Sequence, residues 1–130
     1  MGWIKAKKQP ESQIQANVYA YLQQCPEYFG FAVHNGGVYD PRIRGYRANR
    51  GVGRRKGIAD LIGAWSGQLF CVEVKTSVGR LSPEQKAFRD DVVRAGGLYV
   101  MVRSVEEVVD WVRSMRFVAV KSMIRVQEEK

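Results

Sequence analysis

The sequence predicts an α/β domain in which a mixed β-sheet is flanked by helices. Three observations carry that expectation. Residues near the N-terminus show helical amphipathic spacing, two apolar runs are joined by Ser66-Gly67-Gln68, and a capped helix precedes the apolar run LYVMV at 98–102. A length of 130 residues fits one domain with one core. That domain spans 1–130, with a core of about 11–112 and a C-terminal extension at 113–130.

Residues 11–24 set Ile14, Val18, Tyr21 and Leu22 on one helical face, with Pro10 before the start and Pro26 after the end. GFAVHNGG (30–37) reads as a short strand closing in a turn at Asn35-Gly36-Gly37. Residues 58–65 and 69–75 then form a hairpin, with Asp60 at the start of its first strand. Ser82 is an N-cap, Pro83 the first helical residue and Gln85 the capping-box partner, opening a helix that ends at Gly96-Gly97. LYVMV is too apolar to alternate and reads as a buried central strand. Ser104 and Glu107 make a second capping box, leading a helix with Val105, Val108, Val109 and Val112 on one face. Phe117–Val126 is expected to be a last strand, because Val118, Val120, Ile124 and Val126 then share a face.

The charge is +8, with a sequence pI near 9.8, which points to a polyanionic partner. No run approaches the roughly 18–20 apolar residues that span a bilayer. The opening MGWIKAKKQPES has lysines but no apolar core of a secretory signal. Cys25 and Cys71 are far apart in the chain and fit buried thiols in a reducing cytoplasm better than a zinc site. His34 as the sole histidine argues against a histidine-based triad or a multi-histidine metal cage, so chemistry is expected to rest on carboxylates, lysine and a metal. No signature of an organic cofactor is present.

The positive charge is concentrated. Residues 40–57 (DPRIRGYRANRGVGRRKG) hold Arg42, Arg44, Arg47, Arg50, Arg54, Arg55 and Lys56 against Asp40 alone, a net +6. Arginine predominates, which suits bidentate phosphate contacts, and Tyr46 suits stacking on an unpaired base. The segment is expected to be a nucleic-acid-binding loop. It lacks the Gly-Lys-Ser/Thr ending of a P-loop.

The run LFCVEVK (69–75) carries two charges in an otherwise apolar strand. Side chains alternate faces, so Phe70, Val72 and Val74 point to the core while Leu69, Cys71, Glu73 and Lys75 share the other face. A short hairpin brings Asp60 beside Glu73. Two carboxylates and an ammonium together suit a hard divalent cation with oxygen ligands.

Gly57-Ile58-Ala59-Asp60 followed by Glu73-Val74-Lys75 resembles the PD-(D/E)XK, restriction-endonuclease-like superfamily. Ala59 stands where that superfamily usually has proline before the aspartate. Within it, the order of Glu11, the Asn-Gly strand, G-x-x-D-L, E-V-K and L-S-P-E-Q-K resembles the VRR-NUC family over about residues 11–112. The resemblance implies a phosphodiester hydrolase using Mg²⁺ or Mn²⁺. Asp60 and Glu73 would be the metal ligands, joined by the backbone carbonyl of Val74. Lys75 would position or deprotonate the attacking water. Glu11 would help hold the metal or its water, with Gln15 in support, and Gln85 would reach the site from the next helix. Glu11 also suits a helix N-terminus for electrostatic reasons alone, and Gln85 suits a capping box alone.

Small standalone members of this family, often phage-encoded, are similar to junction-resolving enzymes that act as homodimers on four-way DNA. The chain is expected to follow them: a structure-specific endonuclease acting on branched DNA as a homodimer, in the cytoplasm of a bacterial or phage-infected cell. Its apolar tail offers an interface. Rival readings are a catalytically silent DNA-binding module, which has no need of Asp60, Glu73 and Lys75 together, and an RNA-processing nuclease with the same carboxylates.

Overall fold

The computed structural model describes residues 9–33, 38–47 and 53–128. Helix α1 (Glu11–Gln23) starts at Pro10, whose carbonyl accepts from the backbone N–H groups of Gln13 and Ile14. Strand β1 (Tyr28–Ala32) follows, then a separate two-stranded hairpin of β2 (Val38–Asp40) and β3 (Gly45–Arg47). Strands β4 (Leu61–Trp65) and β5 (Gln68–Val74), helix α2 (Pro83–Arg94), strand β6 (Leu98–Val102) and helix α3 (Val105–Glu128) complete the chain.

The main sheet has the order β1-β4-β5-β6. Its first three strands are antiparallel, and β6 runs parallel to β5 after the α2 crossover. The sheet is therefore mixed and flanked by helices, as the sequence leads one to expect. On one face, Ile14, Val18 and Leu22 of α1 and Val108 and Val112 of α3 pack with Leu61, Trp65, Phe70, Val72 and Val74. Phe70 stacks on Trp111 with centroids 4.5 Å apart and planes 7° from parallel. On the other face, Ala59, Cys71 and Val92 form a smaller core with Ile62, Phe88 and Tyr99. Alternation along β5 is thus realised, since successive residues feed the two cores in turn.

Several local expectations are corrected. Phe117–Val126 is not a strand but the second half of α3, which runs unbroken for 24 residues. No glycine or proline interrupts residues 105–128, and Arg116 holds the helix to Glu27 through contacts of 2.7 and 3.0 Å. LYVMV lies at the edge of the described sheet, not its centre, and most of it is only half-buried. The β4–β5 turn is the two-residue Ser66-Gly67 with φ of 47° and 82°, so Gln68 belongs to β5. Asp60 precedes β4 by one residue. At the start of α3, Glu107 N–H donates to Ser104 Oγ, but the Glu107 carboxylate accepts from Arg103 N–H, so the capping box is only half made. The basic segment expected to be a loop folds in part into the β2–β3 hairpin. His34, the Asn35-Gly36-Gly37 turn and Arg50 lie outside the described residues.

Candidate active site

Strand β5 ends at the site. Glu73 is 2 % exposed and lies on the face opposite Val72 and Val74. The β4–β5 ladder closes at Leu61↔Val72, so the chain before β4 is free of regular pairing where Asp60 sits. There Asp60 Oδ2 accepts the Val74 N–H at 2.7 Å, in the place a strand partner would take. N–H and C=O groups of one residue point to the same side of an antiparallel strand, so the Val74 carbonyl faces the Asp60 side. Lys75 N–H points the other way and donates to Val102 O at 2.9 Å.

Glu73 is the centre of the cluster. Its Oε1 accepts from Gln85 Nε2 at 2.9 Å and lies 3.5 Å from Lys75 Nζ. Its Oε2 is buried and makes no hydrogen bond to the described residues. Burial, then the Asp60 charge beside it, push the Glu73 carboxyl up to about 7, against the opposing pull of Lys75. Glu11 contributes a smaller push in the same direction from the start of α1. Burial also raises Asp60, opposed by the Val74 N–H and Lys75.

Gln85 reaches Glu73 because α2 begins close to the Asp60 segment. Gly57 makes that approach feasible: its φ is +79°, and a Cβ there would collide with the backbone of Glu84 and Gln85. Ser82 and Gln85 complete a full capping box, with Ser82 N–H donating to Gln85 Oε1 at 2.8 Å. The Gln85 amide therefore holds the helix end with one atom and Glu73 with the other.

Of the residues picked from sequence, Asp60, Glu73, Lys75, Gln85 and the Val74 backbone converge. Glu11 acts on Glu73 by charge, yet among the described residues no group of three or more His, Cys, Asp or Glu side chains lies close enough to hold an ion. Gln15 stands half-buried on α1. The groups that could hold a divalent cation are thus the Asp60 and Glu73 carboxylates with the Val74 carbonyl. An unpartnered, buried Glu73 Oε2 beside a second carboxylate fits a hard cation with oxygen ligands.

The basic residues divide into two groups. Arg42, Arg44, Tyr46 and Arg47 lie on the exposed hairpin, where Arg42 and Arg47 pair with Asp40. Arg54 and Lys56 are exposed on the segment leading to Asp60. Arg55 instead pairs with Asp91 at 2.7 Å and lies over the Phe88 ring, fastened to α2.

Two residues near the site were not picked from sequence. Arg103 Nη1 donates to the carbonyls of Thr76 and Gly79, holding the segment just after Lys75. The Tyr99 hydroxyl is buried without a hydrogen bond among the described residues, and the charges of Glu73 and Asp60 both act on it. Tyr99 pairs with Cys71 across β5–β6, which puts it on the Glu73 face. Strand alternation from Glu73 was the signal that would have found it.

Residues 43–106 match the VRR-NUC domain, a span that takes in Asp60, Glu73, Lys75 and Gln85. No curated protein and no solved structure matches the chain. With a mixed sheet flanked by helices, an Asp60–Glu73–Lys75 cluster at the end of β5 and this match, residues 43–106 form a VRR-NUC nuclease domain, of PD-(D/E)XK-like fold.

Proposed function

We propose that this nuclease is a metal-dependent DNA endonuclease that cuts branched DNA, four-way junctions among it, as a homodimer. The observation that carries the catalytic part is the buried Glu73, with an unpartnered Oε2, held between Asp60, Lys75 and Gln85. An acid raised by burial and then by a second carboxylate is a costly arrangement for a fold to keep as mere structure. A silent DNA-binding module would gain nothing from it.

Asp60, Glu73 and the Val74 carbonyl would hold Mg²⁺ or Mn²⁺. When bound, such an ion supplies Lewis acidity toward a phosphate oxygen and makes water a better nucleophile at neutral pH. Lys75 sits within reach of Glu73, so its ammonium lies beside the reacting phosphate and offsets charge that grows in the transition state. Lys75 also orients the attacking water. Gln85 fixes the Glu73 carboxylate in one rotamer, so the ligand oxygens are set before substrate arrives. Glu11 adds negative charge from α1. Arg42, Arg44, Arg47, Arg50, Arg54 and Lys56 supply phosphate contacts, as does Arg55 when it exchanges Asp91 for a phosphate.

A dimer is supported by the second half of α3. Phe117, Val118, Val120, Met123 and Ile124 are all exposed there. Apolar side chains at that density fit an interface, and a two-fold pair of sites matches two symmetric cuts.

Labelled single-stranded, duplex, flap and four-way DNA, each with Mg²⁺, Mn²⁺ or EDTA, test the reading beside Asp60→Ala and Lys75→Ala. Cutting is expected with either metal, to be abolished by EDTA and reduced by at least about 10²-fold in both variants. Full activity in EDTA or in either variant refutes it. Preferential cutting of matched RNA substrates would transfer the reading to RNA.

A further inference from the structure

The β2–β3 hairpin carries a feature that phosphate binding does not need. Asp40-Pro41-Arg42-Ile43 is a turn with aspartate first and proline second, the order a type I turn favours. Ile43 N–H donates to the Asp40 carbonyl at 3.2 Å, and Arg42 N–H donates to Asp40 Oδ1 at 3.0 Å. Arg44 then turns the chain with a φ of 50°. The tip is therefore held in one shape by Asp40, which is itself buried.

What that tip presents is apolar and exposed. Ile43 is 62 % exposed between Arg42 and Arg44. On one face of the ribbon Tyr39 and Tyr46 sit directly opposite, 5.5 Å apart and edge-to-face, 54 % and 73 % exposed. Single exposed apolar residues are ordinary on protein surfaces. Here three large ones share a ten-residue hairpin with Arg42, Arg44 and Arg47. Arginines interleaved with aromatic faces and one aliphatic tip match nucleic acid whose bases are partly unstacked, since apolar wedges enter base steps and tyrosine faces receive freed bases.

The hairpin is also tethered near the carboxylates. Val33 N–H donates to the Asp60 carbonyl at 2.8 Å, and β2 begins at Val38. A chain of five residues reaches at most about 18 Å, so the hairpin base lies within that distance of Val33.

We propose that the β2–β3 hairpin is a strand-parting pin. Ile43 enters a base step at the branch point, the Tyr39–Tyr46 face stacks on the displaced base, and Arg42, Arg44 and Arg47 hold the flanking phosphates. The proposal rests on the reading of this chain as a nuclease of branched DNA.

Four-way DNA carrying 2-aminopurine at single positions next to the branch provides the test, with Ca²⁺ in place of Mg²⁺ so that binding is read without cutting. Wild-type protein raises the fluorescence at one position or more by at least about twofold, because the base loses its stacked neighbour. Ile43→Ala returns the signal to that of free DNA while the Kd changes by less than about threefold, as the phosphate contacts remain. Tyr46→Ala weakens binding about tenfold, and Tyr46→Phe does not, because stacking needs the ring alone. An unchanged signal in Ile43→Ala, or no rise at any position with wild-type protein bound, overturns the pin. Failure of wild-type protein to bind DNA overturns the pin and the DNA reading together. A pin signal without cutting in Mg²⁺ or Mn²⁺ leaves the pin standing and refutes the endonuclease.

Discussion

Gln85 Nε2 donates to Glu73 Oε1 at 2.9 Å while Gln85 Oε1 accepts the Ser82 N–H, so one amide joins the end of α2 to the buried acid. The two duties separate by substitution. Gln85→Glu keeps an oxygen for the capping box but replaces the donor to Glu73 with a like charge. We expect its cleavage rate to fall by about 10-fold or more, with α2 still capped. Gln85→Ala loses both ties and melts lower as well, by about 1 kcal/mol for the cap. Thermal melts beside single-turnover cleavage distinguish the two variants. Equal rates for Gln85→Glu and wild type would remove Gln85 from the site.

Glu73 makes the folding stability of the metal-free protein depend on pH. Its folded pKa, about 7, lies above the ordinary 4.5, so the folded chain binds this proton more tightly than the unfolded one. Its favourable contribution is full below 4.5 and is lost as pH rises through 7. In EDTA, wild-type stability should therefore fall relative to Glu73→Gln between those values, by up to about 3 kcal/mol. Urea titrations at pH 5 and pH 8 measure the difference. Mg²⁺ should restore more stability at pH 8, where the carboxylate is ionised without cost of deprotonation. A flat difference between wild type and Glu73→Gln would contradict the assignment.

The exposed half of α3 gives the third prediction. Phe117→Glu together with Ile124→Glu should leave a folded monomer of 14.8 kDa where the wild type is expected to sediment at twice that mass. Both side chains already face solvent, so the melting temperature of the monomer itself should change little. Paired cuts on four-way DNA would then become single nicks. A wild type that sediments as a monomer at every concentration rules the interface out.

Much of the site was legible because it is local. The alternation in LFCVEVK separates Val72 and Val74 from Glu73 and Lys75, and a short hairpin brings Asp60 to the same end. Ser82 and Gln85 announce their capping box by spacing alone. Arg103 is different: it contacts Thr76 and Gly79 from 27 and 24 residues away, and no period records such a tie. Phe117–Val126 misleads because Val118, Val120, Ile124 and Val126 suit a strand, while the same stretch has no helix breaker. Packing upstream decides it, since Trp111, Val112 and the Arg116–Glu27 pair have already committed the chain to a helix. In the basic segment the turn is written in Asp40-Pro41, with Tyr39 and Tyr46 flanking it, but a density of arginine suits an exposed loop equally well.

Helix α2 turns out to be a shared mount. Its first turn rests against the bare backbone of Gly57, its Gln85 grips Glu73, and its Phe88 and Asp91 hold Arg55. Glu73 and Arg55 are thus both fastened to one 12-residue helix, at Gln85 and, within the next two turns, at Phe88 and Asp91. Loss of the Arg55–Asp91 pair would therefore loosen the same helix that aims Glu73.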